Sequence, residues 1–188
     1  MLFRSAAGLG GGSADAAAAL RLIEHAFPGR LGAETFAAIA VEAGSDVPVC
    51  LAGRTAIMRG RGERVAPLAR LPHLDVVLVN AGGPVPATKT RDVFARLAAQ
   101  QLPDNPGTSN LEARLGAVGS AMDLVEVLAG LGNDLEPPAI AVMPEAGEVL
   151  AVLRDEARVQ LARLSGAGPT CFGACANEAD AIAVAASV

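Results

Sequence analysis

Residues Gly8–Leu20 read GLGGGSADAAAAL, so Gly8, Gly10, Gly11 and Gly12 run directly into a stretch of alanines. Glycine is the residue that orders least readily, and alanine is the strongest helix former. A chain that joins them this tightly restricts its own choices. The alanine side must be a helix, and the glycine side must be a loop that feeds its N-terminus. Helix N-termini carry unpaired N–H groups and about half a positive charge. Bare glycine backbone lets a ligand come close, so the stretch reads as a cradle for an anion, phosphate above all. A flexible linker is the alternative, but linkers rarely abut so strong a helix signal.

Charge supports a local device of this kind. The chain has 188 residues with a formal net charge of −5. That excludes a general binder of nucleic acid or of a membrane surface, which would need a basic patch. No apolar run approaches the ~18 residues of a membrane span, and no signal peptide pattern opens the chain. The three cysteines, Cys50, Cys171 and Cys175, are odd in number and fit no zinc spacing. They read as reduced thiols of a cytoplasmic protein.

The kind of cradle can be narrowed. A P-loop would place Lys after its last glycine, and none stands here. A dinucleotide fingerprint needs glycine where Ser13 stands and an apolar strand before it. Protein-kinase landmarks are missing downstream. Ser13 is placed either to cap the helix or to meet a phosphate or metal through its hydroxyl. Asp15 falls in the first turn, where it favours the helix dipole more readily than it binds metal.

The remaining elements follow from periodicity and breakers. Ser13–Ala26 is a helix with Leu20, Ile23 and Phe27 inward, ended by Pro28-Gly29. Ala33–Ala43 is a second helix. Ser45–Gly53 begins as a turn and becomes apolar, and residues 54–68 form a hairpin. Leu74–Asn80 is a buried strand, followed by a loop and a helix from about Arg91 to Gln101. Residues 102–110 are linker-like. Helical periodicity over Leu111–Leu131 breaks near Gly116 and Gly119. Gly132–Ala157 holds two helices split at Met143-Pro144. Val159–Gly168 and Thr170–Ala176 are a strand, a glycine turn and a returning strand, with a last helix from Asn177 or Glu178. Cys171 and Cys175 share a strand face and pack. Helices and strands mix without strict alternation, which predicts an α+β fold in two domains, residues 1–70 and 71–188.

Four blocks, in order, carry a resemblance. GLGGGSADAA resembles the nucleotide-phosphate motif of the GHMP kinases. GSDVPVCLAGRTAIMRGRGERVAPL (Gly44–Leu68) resembles a turn-and-hairpin segment of that family. SNLEARL and GNDLEPPA, with Asn133-Asp134, resemble its middle segments, and LARLSGAGPTCFGACAN resembles its C-terminal glycine motif. The resemblance implies a two-domain kinase fold and ATP-dependent phosphorylation of an alcohol. Within the family the triple glycine and Ser-x-Asp-Ala-Ala are most similar to the branch acting on a diphosphocytidyl sugar alcohol in isoprenoid precursor synthesis. A homoserine or mevalonate type of kinase, or a non-catalytic nucleotide-binding fragment, is the alternative.

On that resemblance Gly8, Leu9, Gly10, Gly11, Gly12 and Ser13 bind the β- and γ-phosphates of ATP, with Mg²⁺ nearby. Asp46 is the catalytic base, against the alternative of a turn or cap aspartate. Gly166 and Gly168 form a tight turn facing substrate, and Thr170 touches it; an ordinary strand–turn–strand is the alternative. Lys89 and Thr88 are placed to approach substrate phosphates, although a lysine in such a loop is ordinarily solvated. His25 and His73 have no triad partner. The family carries a long portion before its glycine loop, with the first strands, a lysine near the catalytic aspartate and the adenine pocket, so the expectation is a fold with much of its N-terminal domain missing and weak turnover. Exposed strand edges also point to self-association as a homodimer.

Overall fold

A computed structural model describes residues 7–98 and 110–188. Most of the expected linker, residues 102–109, and the expected helix end at Gln101 lie outside the described residues. The chain divides into two compact units, one spanning Gly10–Leu71 and the other joining the described residues before it with Pro72–Val188.

In the smaller unit, helix α1 (Gly11–Ala26) packs on α2 (Ala33–Ala43) and α3 (Val47–Ala52). Small side chains make the close approach: Ala17, Leu20, Ala40 and Val47 form the core, with Ala16, Phe36, Cys50 and Leu51 around them. Arg21 of α1 donates to the carbonyls of Cys50 and Leu51 at 2.6 and 3.0 Å. Those carbonyls end α3 and have no helical partner of their own, so the guanidinium both pairs them and suits the negative end of the helix. Ile23 and Phe27 are not inward. They are 44% and 56% exposed, because the stripe covered by α2 and α3 ends at Leu20. Strands β1 (Ala56–Arg59) and β2 (Arg64–Pro67) form the expected hairpin, with Ala56 opposite Pro67 and Arg59 opposite Arg64.

The larger unit is built on an antiparallel sheet ordered β3 (Asp75–Val79), β5 (Cys171–Cys175), β4 (Val159–Leu164). The central strand alternates faces, as the pleat requires. Cys171 and Cys175 join Leu150, Leu153, Val93, Val184 and Ala139 in the main core, while Ala174 faces Val125 and Leu161. The helices are α4 (Lys89–Ala98), α5 (Leu111–Gly116), α6 (Ala121–Ala129), α7 (Glu136–Val142), α8 (Pro144–Asp155) and α9 (Glu178–Ser187). The break between α7 and α8 is local chemistry: Met143 precedes a proline, which drives it out of helical geometry to φ −136° and ψ 83°. Ser120 and Asp123 cap α6 reciprocally, and Asn177 caps α9. The cysteines are free, and burial pushes the Cys171 thiol up to about 11, which leaves it unreactive.

Candidate active site

Helix α1 starts earlier than Ser13. Its cap is Gly10, in the left-handed region at φ 70° and ψ 16°, and Gly11 and Gly12 are already helical. The first helical bond runs from Ala14 N–H to Gly10 O at 2.9 Å. The N–H groups of Gly11, Gly12 and Ser13 come before it, and no side chain caps them. Ser13 is therefore not the cap. Glycine adopts the entry geometry without cost, so the hydroxyl is not spent on the helix. Asp15, correspondingly, is exposed in the second turn, and no acidic residue occupies the first. A Cβ placed on Gly10, Gly11 or Gly12 would meet nothing within 4 Å. Three donors without a partner among the described residues, a helix dipole and room around the glycines fit a phosphate group.

Asp46 lies in the same unit. It precedes α3 at φ −89° and ψ −9°, and its carboxylate makes no cap hydrogen bond. It is exposed, and among the described residues it enters no ion pair. Two contacts fix its backbone. Val47, next in the chain, is fully buried in the cluster that holds Ala17 of α1. On the other flank Gly62, at the hairpin tip, presses on Ser45: a Cβ there would stand 1.9 Å from the Ser45 carbonyl oxygen. Glu63 shapes that tip: its own backbone N–H, and after it the Arg61 N–H donated at 2.6 Å, hold its carboxyl below the usual range. The turn also reaches the helix start, since a Cβ on Gly44 would lie 3.9 Å from Ser13 Oγ.

The larger unit contains Gly8, Leu9 and the turn Ser165–Thr170. Ser165 Oγ donates to the Gly8 carbonyl at 2.7 Å, and Thr170 N–H donates to the Ala7 carbonyl at 3.3 Å. Gly8 must be glycine here. Its φ is +78°, and a Cβ would come within 2.7 Å of the carbonyl oxygens of both Gly168 and Ser165. Leu9 is half exposed. Of Gly166, Gly168 and Thr170, only Gly166 is exposed. The Thr170 hydroxyl accepts from Asn80 Nδ2 at 3.0 Å and is buried.

Two residues were not evident from sequence as parts of this turn's support. Lys89, expected to approach substrate phosphates or else to be solvated, is 4% exposed and donates through its ammonium to Gly168 O. Burial pushes its pKa below the ordinary lysine value. Its signal was positional: Lys89 lies one helical turn before Val93, which is fully buried, so both share the inward face of α4. Thr88 instead donates to Asp92 Oδ2 at 2.6 Å, beside the start of α4. Asn133 donates to the carbonyls of Leu164 and Gly166 at 3.0 and 2.9 Å. His25 and His73 are exposed. Among the described residues no group of three or more His, Cys, Asp or Glu side chains is placed to hold a metal ion. No helix among them is long and apolar enough to cross a membrane.

Known proteins bear on these features. The model of the GHMP kinases N terminal domain matches residues 3–54, and that of the GHMP kinases C terminal matches residues 110–188. The 4-diphosphocytidyl-2-C-methyl-D-erythritol kinase of Parvibaculum lavamentivorans is 47% identical over 94% of this chain and 58% of its own length. The protein of the same name from Caulobacter vibrioides is 44% identical over 94% of this chain and 59% of its own. A crystal structure of a 4-(cytidine 5'-diphospho)-2C-methyl-D-erythritol kinase matches with a TM-score of 0.70 and 33% identity, covering 100% of this chain and 64% of that one. The chain therefore spans less than two thirds of these relatives.

Proposed function

The chain belongs to the GHMP kinase family, and from that premise we propose that it serves to transfer the γ-phosphoryl group of ATP to the 2-hydroxyl of 4-diphosphocytidyl-2-C-methyl-D-erythritol. The alcohol follows from what the similar proteins are named for. The observation that carries the reading is the start of α1, where three backbone donors and an open glycine surface suit phosphate without any net positive charge.

Phosphoryl transfer asks for positioning and charge stabilisation more than for covalent chemistry. ATP, when bound, supplies the phosphoryl group. The N–H groups of Gly11, Gly12 and Ser13 hold its phosphate oxygens, Gly10 turns the chain into the helix, and Gly8 and Leu9 lead into that loop. The Ser13 hydroxyl, freed from capping, is available to a Mg²⁺ ion that arrives with the phosphates. Asp46, whose carboxylate is exposed and not used for capping, accepts the proton of the substrate hydroxyl. Gly166 presents backbone to substrate, with Gly168 and Thr170 acting through the turn they build. Residues 1–70 are read as the ATP-binding part and 71–188 as the C-terminal domain.

The test is transfer of labelled phosphate from ATP to the diphosphocytidyl alcohol, with homoserine and mevalonate as competitors for the assignment. Labelled product is expected with the first alone. Asp46→Asn should lower that rate by about 10²–10⁴-fold while ATP binding persists, the range for losing a general base. An unchanged rate in the variant removes Asp46 from the chemistry, and product from another alcohol reassigns the substrate.

A further inference from the structure

The turn between β4 and β5 is gripped by side chains from distant parts of the chain. The carbonyls of Leu164 and Gly166 each accept from Asn133 Nδ2, and the carbonyl of Gly168 accepts from the Lys89 ammonium. Asn133 is itself fixed, because its Oδ1 accepts the Leu135 N–H at 3.0 Å where α7 begins. Within the turn, Gly168 N–H donates to Ser165 O at 2.8 Å and Ser165 N–H to Thr170 O at 2.9 Å. What the turn then offers outward is the Ser165 hydroxyl and the Thr170 N–H, and both go to the strip Ala7-Gly8 that opens the glycine run.

A buried ammonium is expensive, and an apolar side chain would fill the same space more cheaply. Its use here needs a reason beyond stability. We infer that Lys89, together with Asn133, is a positioning residue for nucleotide binding: the two lock the Ser165–Thr170 turn in the shape that tethers Gly8. The inference rests on reading Gly8–Ser13 as the ATP loop. Neither residue touches the phosphates in this account. Lys89 acts through the Gly168 carbonyl, Asn133 through Leu164 and Gly166, and the turn acts through Ser165 and Thr170 on the chain ahead of Gly10. The tight fit of Gly8 against the Ser165 and Gly168 carbonyls makes the tether sensitive, since any spreading of the turn opens that contact.

Lys89→Met keeps the length of the side chain and removes the donor. Asn133→Ala removes the other grip, and Ser165→Ala cuts the tether itself. Two readouts separate the questions. Amide hydrogen exchange at Gly168 and Thr170 reports the turn directly and needs no ligand. Calorimetric titration with ATP reports its consequence. In each of Lys89→Met and Asn133→Ala, exchange at both amides should speed by about 10-fold, the weight of one hydrogen bond to a charged or buried group. ATP should bind about 10-fold more weakly in all three variants by the same reasoning. The urea midpoint of Lys89→Met should fall only by the weight of the one lost hydrogen bond, with the chain still folded without urea, which distinguishes lost positioning from lost folding. Unchanged exchange in both Lys89→Met and Asn133→Ala overturns the inference. So does faster exchange with unaltered ATP affinity. An unmodified chain that does not bind ATP instead refutes the kinase reading, and the exchange arm still decides the tether.

Discussion

At the scale of single residues, backbone contacts aim the groups assigned to chemistry. Asp46 owes its place to neighbours on both sides: Val47 is buried beneath it, and Ser45 is pressed by Gly62. The hairpin tip is thus more than a connection. Its glycine, at φ +101°, is the one residue that fits against the Ser45 carbonyl. Gly62→Ala combines a strained conformation with a steric collision and should cost about 3 kcal/mol in urea denaturation, with a further loss of phosphoryl transfer as Ser45 moves. Gly29→Ala is the control. Its φ is +68°, but a Cβ there meets nothing within 4 Å, so it should cost only about 1 kcal/mol and leave transfer intact. Equal effects from the two substitutions would show that the contact with Ser45 does not matter.

At the scale of elements, caps and periodicity made much of the fold legible. The hairpin, the position of strand β3, the break between α5 and α6, and the proline split of α7 from α8 were all readable from local pattern, because each is decided by residues close in sequence; the expected burial of β3 was not met, since Val77 is buried but Val76 and Leu78 are exposed. The cap of α6 shows how far local chemistry goes. Asp123 accepts from Ser120, first through the side chain and then through backbone N–H groups at Gly119 and Ser120, and its pKa is lowered. A carboxyl whose folded value lies below its unfolded one stabilises the fold above the unfolded value, about 3.9, and that contribution fades as pH falls through the folded value. An NMR titration should therefore place Asp123 below 3.9, and Ser120→Ala should raise it towards that reference. An unmoved midpoint would deny the cap its role. What sequence did not reveal was tertiary. Periodicity names a face of α1 but not what covers it, so Ile23 and Phe27 were misplaced. Cap preferences favour Ser13, yet a left-handed Gly10 starts the helix without it. Lys89 reads as solvent-facing until its carbonyl partner, far along the chain, is in view.

For the whole molecule, the decisive quantity is its acidity. A chain of net charge −5 cannot attract a polyanion by its overall field. If it binds ATP, the attraction must be built locally, from neutral backbone N–H groups at one helix end. That is the central claim, and the amides of Gly11, Gly12 and Ser13 report on it directly. In a ¹H–¹⁵N NMR titration with ATP and Mg²⁺, their resonances should show the largest downfield shifts in the chain, and the shifts should saturate together. Saturable binding that leaves these three amides unmoved while shifting others would contradict the account.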